Sequence, residues 1–327
     1  MTNIKPAALA ADGAQRAAPR QGLRRVPEAP VHRRRLRIHI LVFLLPAVAI
    51  YTSFMIYPLL DSVRLAFFGA TSRFDGPTSE VFVGLDNFRR LLTDQRISAQ
   101  FWNALRNNFV FFAIHALVQN PVGLLLAALL SDRTRRFAAA YRTLIFIPTT
   151  LSVVIVGFVW QLILSPLWGI VETPLLGLPR TALITISLMS VWQWVGIPMI
   201  LFYAVLISIP EELLEAGRID GASPSAIFWR IKLPLLLPTV GMVTIITYVA
   251  NMNAFDLIYT VQGALAGPEF STDIMGTLFF RTFAGFQLQL GNPTMGAAVA
   301  TMMFLIILAG VLVYLFAWSR RVTTYEL

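Results

Sequence analysis

Six stretches of the chain run apolar for about twenty residues or more, at roughly 38–60, 106–130, 142–164, 181–207, 234–256 and 295–318. A helix rises ~1.5 Å per residue, so each stretch is long enough to cross a ~30 Å hydrocarbon layer. The pattern predicts an all-α, polytopic membrane protein of about six transmembrane helices. The run from Ile38 to Leu60 is too long for the apolar region of a signal peptide, and no small-residue cleavage site follows it, so it reads as a retained span. Pro148 and Pro198 fall inside the third and fourth runs and predict kinks there. Between the first two runs, "VGLDNFRRLL" (Val83 to Leu92) has helical apolar spacing and predicts a short surface helix. Residues 257–294, with Gly263, Gly267, Pro268 and Gly291, read as a long polar loop over the outer mouth.

The connector "IPEELLEAGRIDGASPSAIFWRIKLP", Ile209 to Pro234, is too polar to cross a bilayer and too patterned for a plain linker. Pro210 suits the start of a helix, and Glu211 and Glu212 follow where the helix dipole favours negative charge. Leu213, Leu214 and Ala216 give one apolar side. Asp220-Gly221 reads as a stop, because glycine takes the left-handed conformation that closes a helix. Ser223 then caps a second helix with Pro224 at its first position and Ile227, Phe228 and Ile231 on its apolar face. The local expectation is helix, sharp turn, helix along the membrane surface, with Pro234 opening the next span. Such a segment either rests on lipid headgroups or meets a protein. Its acidic first helix suits an anionic leaflet poorly.

Charge orients this picture. The chain has 327 residues, 57% hydrophobic and 13% charged, with a formal net charge of +9. Nine of its 26 Lys and Arg lie in residues 1–37, an Ala/Pro/Arg-rich stretch without apolar period that reads as a disordered basic cytoplasmic tail. That tail, Arg133, Arg135, Arg136 and Arg142, then Arg218, Arg230 and Lys232, and finally Arg320 and Arg321 alternate to one side of six spans. By the positive-inside rule both termini and the Ile209–Pro234 connector are cytoplasmic, and 38–320 is one transmembrane domain. No basic face remains for nucleic acid. The chain lacks cysteine, so thiolate chemistry is excluded, and no His-rich ligand spacing suggests a metal. Its two lysines, Lys5 and Lys232, do not follow glycine, so there is no phosphate-binding P-loop. ATP-driven work would need another chain.

"EAGRIDGA" followed by "IKLP" resembles the EAA motif of binding-protein-dependent ABC importer permeases, which have a MetI-like transmembrane domain. Glu215, Ala216, Asp220, Gly221, Ala222, Ile231, Leu233 and Pro234 match that motif in type and spacing; Gly217 stands where the pattern has alanine. A glycine in a helix costs roughly 1 kcal/mol, so a looser connector is expected. "VGLDNFRRLL", "YRTLIFIP" (Tyr141 to Pro148) and "IPEELLEA" resemble the carbohydrate-uptake branch, and the chain as a whole resembles its alginate-oligosaccharide importers. The resemblance covers about residues 40–320. It implies a multi-pass subunit of the bacterial inner membrane, without a catalytic site, metal or cofactor of its own. ATP and Mg would sit on two partner ATPase subunits that grip Glu211, Glu212, Glu215, Ala216, Gly217, Asp220, Gly221 and Ala222. A second, homologous permease would supply the other half of the pathway, and a solute-binding protein would deliver the sugar or oligosaccharide.

Polar residues within spans tend to face a cavity or a neighbouring helix. Thr244, Thr247 and Asn251 form one stripe in span five, extended outward by Asn253 and Asp256. Ser187, Ser190 and Trp194 share a face in span four, beside Gln193; Asn108, His115 and Gln119 share one in span two. The resemblance points to Thr149 and Asn251 as pathway residues. Ser152, Gln193, Trp194, Thr247, Tyr248 and Asn253 join them as candidates, since sugars need amide and hydroxyl partners and aromatic faces. The competing reading is interhelical hydrogen bonding, and His115 reads as a satisfied packing residue. Arg180 and Arg281 are candidates for an anionic cargo at the outer mouth. The alternatives are the same importer for another polar nutrient, such as glycerol phosphate, or a stand-alone secondary transporter. The latter would need an ionisable group within a span, and Asp256 lies only at an edge. An intramembrane enzyme lacks a HExxH, GxSxG or paired-aspartate signature.

Overall fold

The computed structural model describes residues 38–71, 79–131, 137–168, 171–287 and 289–319. The predicted tail, Arg133, Arg135, Arg136, Arg320 and Arg321 lie outside them. The chain divides into two units, Met1–Thr52 and Ser53–Leu327. The described part of the first is helix α1, Ile38–Tyr51.

The second unit begins with α2 (Tyr57–Leu65) and a short antiparallel pair, β1 (Phe68–Thr71) and β2 (Ser79–Phe82), which the apolar pattern did not reveal. The predicted surface helix follows as α3, Asp86–Thr93. Then come α4 (Gln95–Leu130), the bent pairs α5 (Ala138–Thr150) with α6 (Val153–Ile163) and α7 (Ala182–Trp194) with α8 (Gly196–Ser208), then α9 (Glu211–Ile219) and α10 (Pro224–Met252). The chain closes with α11 (Asp256–Gln262), α12 (Met275–Ala284), the hairpin β3 (Gly285–Phe286) and β4 (Gln289–Leu290), and α13 (Pro293–Trp318). Four helical runs, beginning at Val42, Gln95, Pro224 and Pro293, are long and apolar enough to span a membrane. The count among the described residues reaches six when each bent pair is taken as one span.

Three expectations change. Residues 257–294 are not a loop: Leu257, Ile258 and Val261 bury one face of α11, and Met275 and Leu278 one face of α12. Second, the third apolar run is not a single helix, because α5 and α6 meet at 97°. Pro148 contributes, since it has no N–H to give the preceding turn. The helix tightens to a 3-10 turn over Ile147–Thr150, and Leu151 is extended. The 43° bend between α7 and α8 has the same origin in Pro198. Third, Pro234 does not start a span. A π-turn at Phe228–Lys232 carries the helix from Pro224 through it, and this wider turn accommodates the missing proline donor.

Close approaches fix the bundle. A Cβ on Gly123 would lie 3.0 Å from Met199 N, so α4 packs backbone to backbone on α8. Beyond it, Ala127, Leu130, Phe202, Leu206, Leu236 and Val243 form one apolar core, which also takes in Leu214 of α9 and Ile227.

Candidate functional site

From Pro210 to Ser223 the connector forms the predicted helix and sharp turn, although of its expected apolar side only Leu214 is buried while Leu213 and Ala216 are exposed. Asp220 N and Ala222 N donate to Ala216 O and Gly217 O at 3.0 and 2.9 Å, and Gly221 adopts φ +79°, which closes α9 without the steric cost another residue would meet. Ser223 Oγ accepts from Ala226 N at 3.2 Å and caps the next helix. Glu211 and Arg218 pair across the exposed side of α9 at 3.1 Å. Leu214 and Gly217 face inward; Glu212, Glu215, Ala216 and Asp220 are exposed, as is Ile219 at 85%. Sequence reasoning missed Ile219, an apolar side chain left open beside two carboxylates. Gly217, where the motif has alanine, faces the next helix. It is buried where α9 meets Ile227 and Ile231, so it lets the two helices close together.

A cavity of about 280 Å³ opens between α4, α7, α8 and α10. Trp194, Thr247, Asn251 and Asn253 line it, together with His115, Gln119, Ser190, Phe111, Phe255 and Asp256. The other four candidates stand elsewhere. Thr149 folds back on Phe146 O at 2.7 Å, and exposed Ser152 precedes α6 at the break. Gln193 is wholly buried and donates to Leu151 O at 3.2 Å, clamping the break. Tyr248 turns away, with its hydroxyl on Ile306 O of α13 at 2.7 Å.

The cavity's polar groups are held by their neighbours. His115 Nδ1 lies 2.7 Å from Phe111 O, a pure acceptor, so that nitrogen carries hydrogen. Its Nε2, 2.9 Å from Ser190 Oγ, then accepts the serine hydroxyl. Asn251 Nδ2 donates to Thr247 O at 2.7 Å, while the Asn251 backbone carbonyl accepts from Asn108 Nδ2 at 2.8 Å. Thr247 Oγ1 donates to Val243 O at 2.8 Å and lies 3.2 Å from the Asn120 amide, whose Nδ2 is buried without a partner. One hydroxyl proton cannot serve two acceptors; half a turn of that amide makes Nδ2 the donor to Thr247 Oγ1 and moves the partnerless position to Oδ1. Gln119 Oε1 is likewise buried and unpaired. The face Asn108–His115–Gln119 in span two was the signal for these residues.

Arg281 is not available to a cargo. It is buried with Asp273, Nη2 to Oδ2 at 2.7 Å, and also donates to Ala264 O at 2.9 Å. Burial pushes the Asp273 carboxyl above its ordinary range, against the opposing pull of Arg281 and Thr277. Arg180 is exposed and does not line the cavity.

Residues 119–322 match the family described as "Binding-protein-dependent transport system inner membrane component". Among curated relatives, the lactose transport system permease protein LacF of Rhizobium radiobacter is 27% identical, over 86% of this chain and 93% of the relative. The multiple sugar-binding transport system permease protein MsmF of Streptococcus mutans is 30% identical over 81% and 90%. The sn-glycerol-3-phosphate transport system permease protein UgpA of Agrobacterium fabrum is 31% identical over 71% and 78%. A chain of a solved bacterial ABC transporter involved in the import of the acidic polysaccharide alginate superposes with a TM-score of 0.71, over 88% of this chain and 96% of that one, at 21% identity; this likeness shows the fold. With most of the permease core inside the family match, the chain belongs to the inner membrane components of binding-protein-dependent transport systems.

Proposed function

We propose that this chain is the permease subunit of an ATP-driven importer and forms half of the pathway for a sugar or oligosaccharide. The observation that carries the proposal is Leu214. It sits on the inner face of α9 and belongs to the same apolar core as Phe202, Leu206 and Val243. A push on the exposed face of α9 therefore reaches the helices around the cavity through close-packed side chains, which transmit displacement with little give.

In this reading Glu211, Glu212, Glu215, Ala216, Asp220, Gly221 and Ala222, with buried Gly217 behind them, form the knob that two cytoplasmic ATPase subunits grip. ATP and Mg bind those partners. A homologous permease completes the pathway, a solute-binding protein delivers the cargo, and both termini face the cytoplasm. Residues 1–37 form a basic tail before a transmembrane domain at 38–320. Trp194, Thr247, Asn251 and Asn253 contact the solute, while Thr149, Ser152 and Gln193 govern the hinge beside it and Tyr248 braces span five from behind. The relatives named for lactose and multiple sugars support a sugar; the relative named for sn-glycerol-3-phosphate favours a second reading with a phosphorylated cargo.

The test reverses one charge. Glu215→Arg, made in the full importer, is expected to leave membrane insertion and assembly intact and to cut solute-stimulated ATP hydrolysis at least tenfold. Unchanged coupling would show that the ATPase grips another surface. Purification should also bring down a second six-span protein and an ATPase; an active single-chain transporter would refute the importer reading.

A further inference from the structure

We infer that the solute passing this chain is an uncharged polyhydroxylic molecule, and that the Asp256 carboxylate at the cavity disfavours anionic ones. The inference rests on the sugar reading above and concerns the chemistry of the same cavity.

Among the described residues lining the cavity there is no Lys or Arg, and the one formally charged side chain is Asp256, which is exposed. His115 has both ring nitrogens taken by neutral partners, a backbone carbonyl and a serine. An anion entering this space would give up water for no positive partner and would meet a like charge. Removing an ion from water without a counter-charge is strongly unfavourable. Two arginines outside the cavity are already paired, and exposed Arg180 does not line it. Arg281 is buried against Asp273, and Arg90, on a second cavity near Asn292, pairs with Asp86 at 2.7 Å.

The lining does suit hydroxyl groups. Gln119 is over nine-tenths buried, lines the cavity and has an amide oxygen with no donor. A solute hydroxyl, which both gives and takes a hydrogen bond, can meet either end of that amide, whereas a carboxylate or phosphate oxygen, which only accepts, can meet only its nitrogen. Ser190 has given its proton to His115 and keeps lone pairs free, so it too calls for a donor. Trp194, 38% exposed, offers a ring face for sugar C–H groups. Neutral hydrogen-bonding groups, an aromatic face and one carboxylate describe a site for neutral sugar, although a solved transporter of the same fold is involved in the import of an acidic polysaccharide.

The test uses the purified importer with its partner permease and ATPases, without the solute-binding protein, whose own preference would mask this site. Saturation-transfer NMR reads contact with a panel of neutral oligosaccharides and with uronate oligosaccharides matched in linkage and length. Signal from neutral members is expected, with a weaker one from their uronate counterparts. Asp256→Asn should narrow that gap about fivefold at low salt and less at high salt, as expected for a screened like charge a few ångströms away. Gln119→Leu should weaken the neutral signal without raising the uronate one. Uronates in equal or better contact with the unaltered importer would overturn the inference while leaving the sugar reading standing. A gap indifferent to both Asp256→Asn and salt would overturn the role of Asp256. Contact with neither set would overturn the sugar reading itself, and this inference with it.

Discussion

Gly217 of α9 rests against Ile231 of α10: a Cβ at position 217 would lie 2.9 Å from the Ile231 Cδ1 atom. The contact sets how closely the acidic elbow folds onto the span behind it.

Gly217→Ala is therefore expected to be tolerated. The crowded atom is the end of a side chain that can rotate by a few tenths of an ångström, and alanine recovers roughly 0.8–1 kcal/mol of helix propensity. Thermal unfolding in detergent should show no loss of stability, and coupled ATP hydrolysis should persist. Gly217→Leu, by contrast, must push α9 off its seat and should abolish coupling while the spans still insert. Loss of coupling in the alanine variant would mean that the helix spacing tolerates less than Ile231 can yield.

How legible this was from sequence depends on range. The elbow could be read because every signal in it is local: Pro210 starts the helix, Gly221 stops it and Ser223 caps the next. The stripe Thr247–Asn251 could be read because helical spacing alone puts both residues on one face. Tyr248 could not. It lies beside that stripe in sequence, yet a Cβ on Gly310 would run into its ring, so a partner 62 residues away selects its direction. The 97° break was half legible. Pro148 announces a bend, but its size depends on Gly196, where a Cβ would stand 3.0 Å from Ile145 O, and on Gln193. The pairing of Asp273 with Arg281 is not legible in sequence, because no local pattern says that they are buried together.

That ion pair gives a second prediction. Arg281→Met leaves a carboxylate buried without its cation and is expected to cost about 3–5 kcal/mol. Asp273→Leu combined with Arg281→Met should recover most of the loss, because an apolar pair of similar volume carries no desolvation cost. The sign of the pH effect follows from burial. Asp273 already sits above its ordinary pKa, and without Arg281 it rises further. A carboxyl whose folded pKa exceeds its unfolded one costs stability at high pH and returns it as pH falls through the folded value. The deficit of the single variant should thus shrink on acidification from neutral pH, measured by thermal unfolding at matched ionic strength. A deficit that grows on acidification would mean that Asp273 is solvated in the variant.

Gln193 makes the third prediction, and two opposing terms decide it. Its Nε2 holds the Leu151 carbonyl at the break, a bond worth about 0.5–1.5 kcal/mol net. Its Oε1 is buried with no donor, a cost of about 1–3 kcal/mol. Gln193→Leu removes both atoms while keeping most of the volume, so the protein is expected to unfold at the same temperature or slightly higher. Gln193→Glu keeps the volume and adds a carboxylate in a place that is wholly buried. It should be destabilised by several kcal/mol at neutral pH. A leucine variant that melts well below the parent would show that the amide oxygen is needed, and that Gln193 has a donor, such as a water or the second permease, bound in the assembled importer.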